Sequence, residues 1–156
     1  MNLILAPILA PFSWIYALVS MVRVWFYRVG VFPTDSSGSF VVSIGNIQAG
    51  GTGKTPVVDF FARRWRDRIR LGIVSRGYGR KSTGSLRVDE KAFDAPEKYG
   101  DEPVWLAKTS GVPVQVGERK LKAAQDLVAS DGLKMILLDD GFQHLAIRRS
   151  FDTVLV

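Results

Sequence analysis

The segment Gly45-Asn46-Ile47-Gln48-Ala49-Gly50-Gly51-Thr52-Gly53-Lys54-Thr55-Pro56 constrains this chain more than any other. An apolar run, Phe40 to Ile44, precedes it and reads as a buried strand. Apolar residues at Val57, Val58, Phe61, Trp65 and Ile69 follow it at helical spacing. Strand, glycine-rich turn, Gly-Lys-Thr and helix together form the pattern of a phosphate-binding loop. Glycines 50, 51 and 53 carry no side chains, so their N–H groups can close around phosphate oxygens. The helix beginning near Lys54 adds free N–H groups and the positive end of its dipole. Lys54 is expected to reach the β- and γ-phosphates and the Thr55 hydroxyl to ligate Mg²⁺. Gln48, Ala49, Gly50, Gly51, Thr52, Gly53, Lys54 and Thr55 are therefore the candidate nucleotide cradle. One position departs from the usual pattern, with Gln48 where a glycine commonly stands. The competing reading, a glycine-rich turn with no ligand, does not account for Lys-Thr at the head of an amphipathic helix.

Downstream, apolar runs alternate with polar loops in the manner of an α/β domain. Leu71 to Ser75 reads as a strand that opens into Arg76-Gly77-Tyr78-Gly79-Arg80-Lys81. In a parallel sheet this loop lies at the carboxyl ends of the strands, where ligands bind. Arg76, Tyr78 and Arg80 are candidates for steering an anionic substrate, with RNA contact as the alternative. Residues 82–96 read as irregular. Asp101 and Glu102, between Gly100 and Pro103, suit a helix start, where acids are stabilised. Val112 to Val116 reads as a strand and Glu118 to Ala129 as a helix. Arg119 and Lys120 fall in its first turn, where a cation is unfavourable unless an anion is near, and Arg119 is taken as the phosphate candidate. Met135 to Leu138 is a strand ending on Asp139-Asp140, two carboxylates placed to hold Mg²⁺ directly or through water. His144, the chain's one histidine, follows as a candidate for orienting a carboxylate or bonding a phosphate, with a structural role as the alternative.

The chain begins differently. Leu3 to Val22 is a run of twenty residues without a charge, long enough to span a hydrocarbon core of ~30 Å. Arg23 and Arg28, mixed with Trp25, Phe26 and Tyr27, flank it on the cytoplasmic side by the positive-inside rule. Residues 1–30 are expected to be a membrane anchor, spanning or interfacial, with a buried core helix as the alternative. Residues 31–39 read as a linker and 40–156 as the nucleotide-binding domain. A net charge of +6 points to an anionic partner, and the absence of cysteine excludes disulfides and thiolate metal sites. Phe151 to Val156 reads as a buried strand, and because a domain seldom stops inside one, the chain is expected to be cut short. The fold class is thus α/β: a mostly parallel sheet of the P-loop type flanked by helices, with an N-terminal apolar anchor helix.

In combination, Gly45-Asn46 before Gly50-Gly51-Thr52-Gly53-Lys54-Thr55-Pro56, Ser75-Arg76-Gly77-Tyr78-Gly79, Gly100-Asp101-Glu102-Pro103 and Asp139-Asp140-Gly141-Phe142-Gln143-His144 resemble the tetraacyldisaccharide 4′-kinase family of lipid A synthesis. The resemblance covers nearly the whole chain and corresponds to the N-terminal half of a family member. It implies an ATP- and Mg²⁺-dependent kinase at the cytoplasmic face of the inner membrane of a Gram-negative bacterium. The implied acceptor is the 4′-hydroxyl of an acylated disaccharide 1-phosphate lipid, and no nucleic acid partner is expected. It also implies that Asp101 is the base for the sugar hydroxyl, aided by a histidine from the C-terminal half. Lys54 and Thr55 would hold phosphates and Mg²⁺, with Glu102, Asp139, Asp140 and His144 in the surrounding network. A membrane-associated ATPase or GTPase switch without a lipid acceptor is the competing function.

Overall fold

The structure, a computed structural model, describes residues 6–46, 53–142 and 144–155. The chain forms two compact units, Met1–Thr34 and Asp35–Val156. In the first, helix α1 (Ala6–Arg28) ends in a left-handed turn at Gly30 that lets the Val31 and Phe32 N–H groups donate to the Phe26 carbonyl. Phe32 thereby packs on Phe26 and Tyr27. Trp14, Leu18, Val22 and Trp25, spaced by three or four residues, form an exposed apolar stripe, with Ile15 and Val19 beside it. Arg23 and Arg28 lie on the helix itself rather than beyond its end. The spanning form of the expected anchor is not what the described residues present: among them, no helix is long and apolar enough to cross a membrane.

The second unit is a six-stranded sheet between two helical layers. Its strands are β1 (Phe40–Asn46), β2 (Leu71–Ser75), β3 (Leu86–Arg87), β4 (Val114–Val116), β5 (Met135–Asp139) and β6 (Phe151–Leu155), in the order β3-β4-β2-β5-β1-β6. Every pairing is parallel except that of β3 with β4. Period-two alternation divides the core. Val42, Ile44, Leu71, Ile73 and Leu137 face one layer with Val58, Ala62, Val104 and Leu106 from helices α2 (Lys54–Trp65) and α4 (Asp101–Ser110). Val41, Val74, Ile136 and Leu138 face the other, with Ala123, Ala124 and Leu127 of α5 (Lys120–Asp131). A short helix, α3 (Ala95–Tyr99), leads into α4.

Three sequence expectations change. Residues 35–39, read as linker, belong to the second unit: Asp35 exchanges backbone hydrogen bonds with Ala146 and Arg148, and Ser37 is buried. The irregular stretch 82–96 supplies the two-residue strand β3 and the start of α3. Among the described residues the last apolar run lies at the edge of the sheet rather than inside it. Among these residues β6 has β1 as its one neighbour, and Phe151 is 61% exposed. An apolar run is common to buried and edge strands, so composition alone does not separate them.

Candidate active site

Parallel strands deliver their carboxyl ends to one edge, and the chemistry gathers there. β1 ends on Asn46 and α2 begins at Lys54; residues 47–52 lie outside the described residues, and with them the expected cradle residues Gln48, Ala49, Gly50, Gly51 and Thr52. Gly53, next along, has a left-handed backbone (φ 72°), which glycine adopts without a Cβ clash. Lys54 Nζ donates to Asn46 Oδ1 at 2.8 Å and stands 3.6 Å from Asp140 Oδ1. The lysine is thus held above the end of β1 beside the acidic end of β5. Thr55, half-buried, follows it on the first turn of α2.

The β2–β5 register pairs Val74 with Leu138, so one residue further on Ser75 meets Asp139. Ser75 Oγ donates to Asp139 Oδ2 at 2.9 Å inside the fold. Burial pushes the Asp139 carboxyl above its ordinary range; the Ser75 hydrogen bond and the Lys120 charge oppose this, while the Glu102 and Asp140 charges add to it. Glu102 therefore lies within electrostatic reach of Asp139, although it is exposed on the first turn of α4. Asp140 leaves the strand with φ 52°, the one non-glycine residue of positive φ among those described, and its side chain is 62% exposed. Gly45 must be glycine for a related reason. A Cβ there would stand 2.6 Å from Phe142 Cβ and 3.2 Å from its backbone nitrogen.

Lys120, the first residue of α5, and not its neighbour Arg119, is the cation that reaches the site. It is 1% exposed, and its ammonium donates to the main-chain carbonyls of Asp139 and Asp140. Burial lowers its pKa to about 8; the carboxylates of Asp139 and Asp140 oppose the shift, and the charges of Arg76 and Lys54 reinforce it. A legible signal existed. Lys120 shares the i, i+3, i+4, i+7 stripe of Ala123, Ala124 and Leu127, which marks it as an inward-facing lysine. Arg119 itself is exposed, in extended conformation just before the helix.

The basic loop after β2 divides in two. Arg76 and Tyr78 are exposed, Tyr78 at 90%, and Arg76 acts electrostatically on Lys120. Arg80 has a side chain only 4% exposed, tied to Glu118, to Ser82 Oγ at 3.3 Å and to the Gly84 carbonyl at 2.7 Å. The Gly84 N–H donates to the other Glu118 oxygen at 3.1 Å, so the pair closes the loop against the approach to α5. Arg80 is thus spent within the fold, whereas Arg76 and Tyr78 face outward. The loop also abuts Gly100: a Cβ on Gly100 (φ 93°) would lie 3.0 Å from the Tyr78 carbonyl oxygen. Asp101, exposed at the first turn of α4, consequently stands next to the Arg76–Tyr78 loop. His144 is half-buried, and its N–H donates to the Gly141 carbonyl at 3.0 Å, closing the turn after the two aspartates.

Among the described residues, no group of three His, Asp or Glu side chains is arranged to hold a metal by itself. A nucleotide-borne Mg²⁺ needs no such cage, because phosphate oxygens and waters supply most of its ligands and one or two carboxylates suffice. Asp139 and Asp140 beside Lys54 fit that requirement as hard oxygen donors. A cavity of roughly 410 Å³ lies elsewhere, lined by Arg66, Arg70, Gly111, Pro113 and Leu133. Arg66 there caps the end of α4 through the Ser110 carbonyl at 2.9 Å, which is a structural use of the charge.

The family model described as tetraacyldisaccharide-1-P 4′-kinase matches residues 5–156. The chain is 40% identical over 154 residues to a tetraacyldisaccharide 4′-kinase of Syntrophotalea carbinolica, covering 95% of this chain and 43% of that protein. A protein of the same name from Hamiltonella defensa is 37% identical over 150 residues, covering 96% of this chain and 45% of its own length. The crystal structure of LpxK from Aquifex aeolicus in complex with ATP superposes with a TM-score of 0.88 at 34% identity, covering 97% of this chain and 49% of that one. The chain thus spans about half the length of the proteins it matches.

Proposed function

Because the chain belongs to the tetraacyldisaccharide-1-phosphate 4′-kinase family, we propose that the whole protein transfers the γ-phosphate of ATP to the 4′-hydroxyl of a tetraacyl disaccharide 1-phosphate lipid. The observation that carries this reading is the meeting of Lys54 with Asn46 and Asp140 beside the buried Asp139. A lysine held at the head of a helix, next to two carboxylates at a strand end, is what phosphoryl transfer asks of a protein: positioning and charge neutralisation. Lys54 would bind the β- and γ-phosphates, together with the free N–H groups that open α2. Thr55, Asp139 and Asp140 would hold Mg²⁺, with Glu102 and His144 around them. The ion, when bound, supplies positive charge to the phosphate oxygens.

Asp101 would take the proton of the 4′-hydroxyl. As that oxygen bonds to the γ-phosphorus, the bond to the β–γ bridging oxygen breaks and ADP leaves with the electron pair. Support for Asp101 is its exposed place beside the loop of Arg76 and Tyr78, which with Arg119 offers cationic and aromatic contacts to an anionic sugar. Arg80 would serve this site indirectly, by holding that loop. The exposed stripe Trp14-Leu18-Val22-Trp25 supports an interfacial association of α1 with the cytoplasmic face of the inner membrane, where the acceptor resides.

The test uses membranes carrying the full-length protein, γ-labelled ATP, Mg²⁺ and the acceptor, with label counted in extracted lipid. Lys54→Ala should abolish transfer, and Asp101→Ala should lower turnover by 10²-fold or more, about the effect of a positioned base, with little change in nucleotide affinity. Label released only as free phosphate, whether or not lipid is present, would overturn the kinase reading. Near-normal turnover of Asp101→Ala would remove the assigned base.

A further inference from the structure

Four successive main-chain carbonyls follow one another through the turn that ends β5, and cationic side chains bind all four. Lys120 donates to those of Asp139 and Asp140. Arg149 Nη1 donates to those of Gly141 at 3.4 Å and Phe142 at 2.8 Å. The two cations come from opposite sides in sequence, one heading α5 and the other just before β6. Carbonyls at a strand end need partners, but water or a turn hydrogen bond would serve as well. Burying an ammonium to do it is costly, which argues that the arrangement has another use.

The turn itself is under constraint. Asp140 holds a left-handed backbone, which is unfavourable for a non-glycine residue unless its surroundings enforce it. The Gly141 N–H donates to the Ile44 carbonyl at 3.2 Å. A Cβ on Gly141 would meet Ser43 Oγ at 2.6 Å and Leu138 Cβ at 2.7 Å, so β1 leaves the turn no room on that side. Packing from β1 and cations on the carbonyls together fix the direction in which the two aspartates leave the chain. Asp139 then meets Ser75, and Asp140 meets Lys54.

We propose that Lys120 and Arg149 are positioning residues that pre-assemble the acidic turn, so that its two carboxylates are set for a metal–nucleotide complex before that complex arrives. The inference rests on the nucleotide and Mg²⁺ reading above, and it gains from a general rule: ordering a loop beforehand removes that cost from binding. Neither cation touches the carboxylate oxygens through these hydrogen bonds. They act on the backbone, which leaves the carboxylates available for metal.

The full-length protein can be titrated with a fluorescent ATP analogue in Mg²⁺ and again in EDTA. Lys120→Met should leave the EDTA affinity within about twofold of wild type and reduce the gain from Mg²⁺ by about tenfold or more. Arg149→Met, at a less buried position, should do the same more weakly, and Arg149→Lys, which keeps a cationic donor on a single nitrogen, should recover part of the gain. If Lys120→Met does not fold, the two Arg149 variants carry the test. An undiminished Mg²⁺ gain, or equal losses with and without Mg²⁺, would overturn the proposal. The lipid acceptor is not in this assay, so failure of lipid phosphorylation would sink the kinase reading while leaving the inference intact. A wild type that binds no nucleotide would sink both.

Discussion

Ser75→Ala tests the chemistry of the buried strand end with one atom removed. Ser75 and Asp139 are 4% and 3% exposed, and water is poorly placed to substitute for the lost hydroxyl. A hydrogen bond to a charged group contributes about 1.5–3 kcal/mol, and losing it leaves a buried carboxylate oxygen short of a donor. The expected cost while Asp139 is ionised is therefore about 2 kcal/mol. The sign with pH follows from linkage. Burial already raises the Asp139 pKa, so its ionised form costs stability above that pKa, and the cost fades as the pH falls through it. Ser75 supports the ionised form. Alanine raises the pKa further and enlarges the cost above it, but changes little once Asp139 is protonated. Urea unfolding followed by tryptophan fluorescence should show the difference between mutant and wild type shrinking as the pH falls through the Asp139 pKa. A loss below about 0.5 kcal/mol at every pH, or a loss of the same larger size at every pH, would refute the argument.

Two further substitutions probe the scaffold. Gly45→Ala sets a methyl group against the Cβ and backbone nitrogen of Phe142; it should destabilise by about 1–3 kcal/mol and weaken Mg²⁺-dependent nucleotide binding, measured by titration. Leu127→Ala, at a fully buried core position on α5, should cost about 2–5 kcal/mol in urea unfolding while leaving nucleotide affinity nearly unchanged.

Much of the framework was legible one segment at a time. The apolar run Leu71–Ser75 is β2 residue for residue, and the lysine predicted to head a helix does head α2. Four separated motifs, taken in combination, carried the resemblance to the family. The misreadings share a cause. The apolar run of β6 reports composition, whereas its place at the edge of the described sheet is decided by strand order. Arg80 is a candidate for steering substrate together with its loop, yet its side chain is held by Glu118, 38 residues on.

The polar contacts of the site were least accessible to pattern. Ser75 and Asp139, 64 residues apart, meet because β5 lies beside β2, and Lys120 reaches the turn because α5 packs on the opposite face from α2. Hydrophobic period is a local property, so strands, helices and the phosphate loop can be read along the chain. Which distant polar groups become partners depends on strand order and register, and those are chosen by the packing of the whole domain.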